Sequence, residues 1–559
     1  MSIETDLAEA ILGALSRAQE SHTLPQISPA LTGIDEIPLE RPKNREHGDF
    51  ASSVALTLAK KMGIKPRDVA AALADQLKSH PLISKIEIAG PGFINFTLNS
   101  ASHGEIISEI LTQGKKFGQV QDLLGKKINL EFISANPTGP IHLGHTRWAA
   151  VGDALARTLI AAGAEVTREF YINDRGVQMD LFGQSLRASA IGIARPENGY
   201  QGGYIDDLAQ IIVKENPEYC QLPEEESFIA FREAGYKLQL KEQQEVIKNF
   251  RTVIDLWFSE RELHKGESVL EETLRELEKQ GHVYELDGAL WLRTTTFGDD
   301  KDRVLRKSSG EYTYFASDTA YYLNKRGRGF EIAIYMLGAD HHGYVGRLKA
   351  TAACAGDDPQ YNIEILIGQL VKIIEAGEEV KLSKRAGTIV TLEDLVEKVG
   401  VDAARYTLIR YPVETPMILD VDLLKKHTNE NPVYYVQYAH ARICAVLRNA
   451  AELGIKFGPK YFDPTLLIHE RERELIGALS QFPTVIAGAA ALRGPHRIAR
   501  YIEELAATYH RFYSDCRVLP MGNEAATLLH SSRATLSDAT RQVIFNALDL
   551  LGVSAPERM

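Results

Sequence analysis

The chain has 559 residues, of which 25% are charged and 44% hydrophobic, and its formal net charge is −12. That length implies three or four domains, and that balance excludes a disordered or fibrous chain. A protein that coats nucleic acid indiscriminately is basic throughout, so any nucleic-acid contact here must come from a local patch.

The first segment, MSIETDLAEAILGALSRAQE, carries acids early and has no continuous apolar core. It reads as an amphipathic helix and not as a signal peptide. Helices are predicted over Ile3–Ala18 and Pro66–Ser79. Apolar and polar residues alternate from Ile83 to Leu98 around Gly90-Pro91-Gly92, which predicts a hairpin. Residues 1–115 therefore form a small α/β module, linked onward by the turn-rich stretch Gly114–Lys127.

A strand follows at Ile128–Ile133. The chain breaks at Asn136-Pro137-Thr138-Gly139-Pro140, continues as a helix over Leu143–Ala162, and returns as a strand over Glu165–Ile172. Strand, loop, helix and strand of these lengths make a βαβ unit with a parallel sheet. A mostly helical insertion is expected at about 195–285. Within it Phe250, Val253, Ile254, Trp257 and Phe258 fall on one face of a helix, a spacing that predicts core packing. Asp287-Gly288 predicts a tight hairpin over Tyr284–Trp291. Further strands are expected at Ile332–Leu337 and Ile363–Ile374.

From Leu423 onward the pattern is helix after helix. The uncharged run Leu475–Leu492 contains Ser480, Gln481 and Pro483, so it reads as a buried, broken helix and not as a membrane span. Residues 431–559 hold fourteen Lys and Arg, twelve of them Arg, against twelve Asp and Glu. Arg offers a planar donor fork suited to phosphates and base edges. The four cysteines, Cys220, Cys354, Cys444 and Cys516, are scattered and form no CxxC pair. That spacing argues against a cysteine zinc site and a disulfide framework, and it fits a reducing cytosol. No metal-ligating set is read from the sequence.

Two motifs carry chemistry. His142-Leu143-Gly144-His145 lies between a strand with its Pro-Gly loop and a helix, so it opens onto a helix N-terminus, where phosphates bind readily. His142 and His145 are three apart and share one face of the first turn. Gly144 lets a flat ring approach the backbone. The second motif, Lys381-Leu382-Ser383-Lys384-Arg385, sits on a loop after a predicted hairpin over Ile373–Val380. Two Lys three apart can clamp a leaving pyrophosphate.

Together the motifs resemble the HIGH and KMSKS signatures of class I aminoacyl-tRNA synthetases. Leu143 stands in place of Ile, Leu382 in place of Met, and Arg385 in place of the last Ser. Longer segments resemble arginyl-tRNA synthetase in particular: Glu131–Gly176, DAARYTLI at Asp402–Ile409, VYYVQYAHARI from Val433, the terminal APERM, and Lys43–Lys61 with PGFINFTL in the first module. The resemblance spans essentially the whole chain.

It implies a Rossmann-like, doubly wound catalytic domain over residues 120–422, an N-terminal α/β module that touches the tRNA elbow, and an α-helical anticodon-binding domain over 423–559. The substrates implied are L-arginine, ATP and tRNA(Arg), with Mg²⁺ as cofactor. The implied enzyme is a cytoplasmic monomer without membrane contact, in which tRNA must be bound before activation is efficient. His142, Gly144, His145, Lys381, Ser383 and Lys384 are expected to bind ATP, with His142, His145, Lys381 and Lys384 catalytic.

A guanidinium needs a carboxylate and neutral acceptors. Tyr314 and Asp318, four apart on a predicted helical turn, match the family's arginine-gripping pair. Glu131 and Asn136 match residues that hold the substrate's polar ends, and Asp340 in GADHHGY is a further candidate. Such a pocket rejects lysine or citrulline by roughly 10⁴, because a buried hydrogen bond is lost. Tyr438, His440 and Arg442 are candidate tRNA contacts, since unstacked bases rest on aromatic rings and Arg planes.

A nucleotidyltransferase would not need the Arg-rich helices. A cysteinyl synthetase would want zinc ligands, and a glutamyl synthetase cationic residues in place of Tyr314 and Asp318. An inactive RNA-binding paralogue would lack a motif His or Lys.

Overall fold

The computed structural model describes residues 3–29, 31, 33–40, 42, 47–265, 269–380 and 390–559. The first module is a four-stranded antiparallel sheet in the order Leu39–Glu40, Phe50–Ser52, Phe93–Leu98, Ile83–Ala89. The hairpin expected from the alternation is present, with Ile88 opposite Ile94 and Ile86 opposite Phe96. Helices Ile3–Glu20, Val54–Met62 and Pro66–Leu77 close one side. Leu7, Ile11, Leu58, Leu73, Ile94 and Phe96 form a core of the module's own.

The centre of the molecule is a five-stranded sheet in the order Ile363–Gly368, Ile332–Gly338, Lys127–Glu131, Glu165–Ile172, Leu256–Ser259, and every pairing is parallel. Numbered in chain order and read from the Leu256–Ser259 edge, this is 3-2-1-4-5, the doubly wound arrangement. Its crevice lies at the C-terminal strand ends where the winding reverses, between Lys127–Glu131 and Ile332–Gly338. Ile128, Leu130, Phe170, Ala333 and Ile334 are buried, as strands covered on both faces require.

The sheet also holds a polar seam. Asn129 Nδ2 donates to Glu169 Oε2 at 2.6 Å, and Glu169 accepts from Tyr321 Oη at 2.5 Å and from Arg328 at 2.7 and 3.0 Å. Burial opposes ionisation of Glu169, but Lys325, Arg328 and Tyr321 outweigh it and hold its pKa below the usual value.

Two sequence expectations are corrected here. The residues placed on one helix face, Phe250 to Phe258, are not helical. The helix Glu224–Asn249 ends before them, and Leu256–Ser259 is the edge strand of the central sheet. Phe170 stacks on Trp257 at 4.5 Å across that edge. A short aromatic run is compatible with either period, and pairing with Glu165–Ile172 decides for the strand. The single strand expected over Ile363–Ile374 is two. Ile363–Gly368 belongs to the central sheet, while Val371–Glu375 pairs in parallel with Met417–Asp420 in a separate small sheet.

The C-terminal region is built from helices Pro432–Glu452, Glu470–Ser480, Phe482–Ala491, His496–Asp515 and Leu528–Leu550. The run from Leu475 breaks at Gln481, ahead of Pro483, and buries Leu475, Leu479, Phe482 and Ile486. These helices share one continuous core with the central sheet. Arg405 lies in that joint with no exposed surface. It donates to Asp153 Oδ2 at 2.6 Å and to the carbonyls of Phe250 at 2.9 Å and Leu551 at 3.2 Å.

Candidate active site

Glu131 ends the middle strand, and the Pro-Gly loop runs from there into the helix Leu143–Ala161. Insertion helices hold that loop. Gln243 Nε2 donates to the carbonyls of Asn136 at 3.0 Å and Gly139 at 2.7 Å, and Tyr204 Oη donates to the carbonyl of Thr138 at 2.9 Å. The helix then lies flush on the sheet. A Cβ on Gly152 would come within 2.4 Å of the Phe132 ring, so only glycine permits this seat.

His142 caps the helix. Its Nδ1 accepts from the Gly144 N–H at 3.1 Å, which in a neutral ring leaves the proton on Nε2. The rings of His142 and His145 lie 4.0 Å apart, centroid to centroid. Both imidazoles thus stand together at the helix's positive end.

The chain that follows the basic motif returns to this cap. Lys381, Ser383 and Lys384 lie outside the described residues, but both flanks are fixed. Val380 donates its N–H to the carbonyl of Ile373 at 2.9 Å. Beyond the segment, Leu143 donates to Val390 at 3.1 Å, Leu392 donates to Ile141 at 2.8 Å, and His142 bridges Thr391. Thr391 and Asp394 form a reciprocal cap on the helix Leu392–Val399, which stiffens the return. Residues 390–392, just beyond the basic motif, are therefore neighbours of the HLGH cap.

Near the C-terminal ends of the neighbouring strands, acidic side chains cluster into a candidate amino-acid slot. Tyr171 is held far above its usual pKa by burial and then by charges on Glu260, Asp318, Glu131 and Asp174, so four carboxylates converge on one ring. Two of them are compensated. Glu131 accepts from Lys325 Nζ at 2.5 Å and from Ser134 Oγ at 2.9 Å. Asp174 accepts from Ser259 Oγ at 2.6 Å and lies 3.6 Å from Arg261 Nε. Among the described residues, Glu260 and Asp318 form no ion pair.

Burial, followed by the charges on Glu260 and Glu131, pushes Asp318 up to about 7, with Arg347 opposing. Glu260 is raised chiefly by burial and then by Asp174, while Arg175 and the Tyr171 hydroxyl act against the rise. A cation entering the slot would relieve both groups.

Tyr314 starts the helix Tyr314–Gly327, behind the cap Thr313. Its ring is 75% exposed, with the hydroxyl near Gly176, so it stands at the mouth of the slot while Asp318 lies one turn inward. Asn136 is half-buried in the loop. Asp340 is not in the slot. It lies past the end of Ile332–Gly338 with its side chain 83% exposed beside His341, on the C-terminal rim of the sheet.

Glu260, Asp174, Tyr171 and Lys325 were not anticipated. The first three sit at the C-terminal ends of parallel strands, where ligands bind in such sheets. Reading 250–258 as helix hid that position for Glu260.

In the C-terminal helices, Tyr438 is exposed, stacked on Tyr434 at 6.0 Å and tilted against His510 at 6.2 Å. Arg442 is half-buried, with its guanidinium over the Tyr513 ring at 4.3 Å. Burial and then Arg442 push His510 down to about 4, so it is neutral at pH 7. His440 is corrected as a base contact. It is 2% exposed, its Nδ1 lies 2.9 Å from the Pro556 carbonyl, and burial holds its pKa down. A ring packed on that face cannot stack on a base.

Three family models match, described as "Arginyl tRNA synthetase N terminal domain" over residues 5–98, "tRNA synthetases class I (R), catalytic domain" over 106–441, and "DALR anticodon binding domain" over 436–559. The arginine–tRNA ligase of Frankia alni is 52% identical over 554 residues, covering 99% of each chain. That of Paenarthrobacter aurescens is 51% identical over 525 residues, covering 94% of each. The solved arginyl-tRNA synthetase of Thermus thermophilus superposes with a TM-score of 0.75 over 100% of both chains at 22% identity, a likeness of fold.

Proposed function

The chain belongs to the arginyl-tRNA synthetase family, and from that premise we propose that it ligates L-arginine to tRNA(Arg) through an arginyl-adenylate, consuming ATP and releasing AMP and pyrophosphate. The observation that carries the choice of amino acid is a pair of acids that form no ion pair among the described residues, buried Glu260 and half-buried Asp318, near the strand end that carries Glu131.

Arginine enters guanidinium first. Asp318 and Glu260 take its charge, Tyr314 closes over it from the mouth, and Glu131 and Asn136 hold the polar end. Its carboxylate then attacks the α-phosphorus of ATP in line, and pyrophosphate departs. His142 and His145 bind the phosphate and adenosine side, with Gly144 giving close backbone approach. Lys381, Ser383 and Lys384 neutralise the leaving group. No protein nucleophile is needed, because positioning and fixed charge supply the rate. The 2′-hydroxyl of the terminal tRNA ribose then takes the arginyl group, and AMP is released.

ATP is taken as its Mg²⁺ complex. Among the described residues no group of three His, Cys, Asp or Glu side chains is placed to hold a metal ion. The ion therefore arrives with the nucleotide and not in a protein cage built from those residues. The Arg-rich C-terminal helices, assigned to residues 423–559, read the anticodon region, with Tyr438, Tyr434 and Arg442 as the contact group. Residues 1–115 meet the tRNA elbow, and 120–422 carry the chemistry. The enzyme works as a monomer in the cytoplasm, a setting that suits its four free thiols.

The test is ATP–pyrophosphate exchange run against every amino acid, with and without tRNA. Exchange supported by arginine alone is the expected result. Equal exchange with lysine would remove the guanidinium reading of the slot.

A further inference from the structure

Arg147 lies five residues beyond the cap His142, in the helix Leu143–Ala161, and is 2% exposed. Among the described residues no carboxylate hydrogen-bonds to it. Nη1 donates to the carbonyls of Thr415 at 2.9 Å and Gln369 at 3.3 Å, Nη2 donates to the carbonyl of Pro412 at 2.7 Å, and Nε is buried without a partner. Burial lowers its pKa to about 10, with Glu414 opposing from farther off, so the group stays charged at neutral pH.

A buried charge satisfied only by carbonyl dipoles is costly, and an apolar side chain would fill that space more cheaply. What the guanidinium provides is span, because a planar fork reaches several acceptors at once. The acceptors are not scattered. Gln369 leads into the strand Val371–Glu375, and Pro412 and Thr415 lead into its parallel partner Met417–Asp420. That small sheet is the root from which the chain departs at Val380.

We propose that Arg147 is a positioning residue for amino-acid activation, fixing the helix that presents His142 and His145 against the small sheet from which the basic segment leaves. This rests on reading the site as an ATP-dependent arginine-activating centre. Arg147 touches no reacting atom, and its effect passes through the seating of the HLGH helix on the segments that lead into the small sheet. Misplacement by an ångström costs about 10²-fold in rate.

The experiment uses full-length enzyme with saturating tRNA and compares Arg147→Lys with Arg147→Met. Lys keeps the charge but cannot span three carbonyls. ATP–pyrophosphate exchange gives kcat and the ATP KM, calorimetry gives arginine affinity without ATP, and thermal melting gives the folded fraction.

Both variants should lose about 10²-fold in kcat per folded molecule, with arginine affinity within twofold of wild type. Should Arg147→Met fail to fold, Arg147→Lys carries the test alone. Exchange within threefold of wild type in Arg147→Lys overturns the role, since charge alone then suffices. Loss of arginine affinity in step with kcat also overturns it, since the damage is then general. If the wild-type enzyme gives no arginine-dependent exchange, the activation reading falls and takes this inference with it; normal wild-type exchange with a normal Lys variant removes the inference alone.

Discussion

Leu143 donates its backbone N–H to the carbonyl of Val390 over 3.1 Å, and one step on His142 bridges Thr391. Residues some 250 apart in sequence thus meet as an antiparallel pair at the first turn of the helix. Val380 stands on the small sheet and Val390 against the HLGH cap. On the proposed mechanism the cations of the intervening motif act on a triphosphate bound at the helix N-terminus.

Lys384→Ala should therefore cut ATP–pyrophosphate exchange by about 10²-fold. Arginine binding measured without ATP should be unchanged, because the acid slot is built from other elements. An unaltered exchange rate would remove the lysine clamp from the reaction.

Arginine binding should be linked to proton release. Asp318 sits near pH 7 when the slot is empty, yet it must be ionised to pair with a guanidinium that stays charged at every working pH. Below about 7 part of the binding energy goes into expelling a proton, so the arginine KM should fall as pH rises from 6 to 8 and then level off. Asp318→Asn should flatten that slope and raise KM by about 10²-fold, the cost of losing one partner of a buried charge pair. A wild-type KM independent of pH across this range would show that Asp318 is already ionised in the free enzyme.

Glu260→Gln tests the same slot from the other side. Removing the Glu260 charge takes away one of the forces that raise Asp318, after burial. The midpoint of the KM profile should move to lower pH, even as the loss of a guanidinium acceptor raises KM overall. A midpoint that stays in place would mean that the two carboxylates do not sense each other.

Much of this was legible in the residues. HLGH after a strand and a Pro-Gly loop located a helix start with two adjacent imidazoles, and Asp287-Gly288 located a hairpin whose two turn residues take φ of 51° and 74°. Tyr314 and Asp318 were singled out by resemblance, and what their four-residue spacing predicted, a shared helical turn, is met in the helix Tyr314–Gly327. Glu260 was not legible. Its placement depends on the run at Leu256–Ser259 joining the sheet as its fifth strand, and nothing local separates that from a helical turn. The burial of His440 was equally hidden, since it depends on the C-terminal segment folding back so that the Pro556 carbonyl meets its ring.

Lys325 and Glu131 are a buried ion pair at 2.5 Å, with Lys325 also lying over the rings of Tyr335 at 3.9 Å and Tyr321 at 4.4 Å. Lys325→Met should destabilise the fold by about 3–5 kcal/mol, because it leaves Glu131 charged and unpaired. The double variant Lys325→Met with Glu131→Gln should recover much of that loss in denaturant melts, while its arginine KM stays raised. Equal destabilisation of the single and double variants would show that packing against the tyrosines, and not charge balance, is what Lys325 supplies.

The tRNA face can be separated from the chemistry by comparing neighbours on one helix. Tyr438 is exposed and stacked on Tyr434, so its ring is available to a base. A base–aromatic stack is worth about 1–3 kcal/mol, so Tyr438→Ala should raise the tRNA KM by roughly 5- to 150-fold and leave kcat at saturating tRNA intact. Raising the salt concentration should weaken tRNA binding further in both proteins, through phosphate contacts that the substitution does not touch. His440→Ala should behave differently, because its ring is buried against the Pro556 carbonyl. It should lower thermal stability without a selective change in tRNA KM. If Tyr438→Ala leaves tRNA KM untouched while His440→Ala raises it, the anticodon loop lies on another face of these helices.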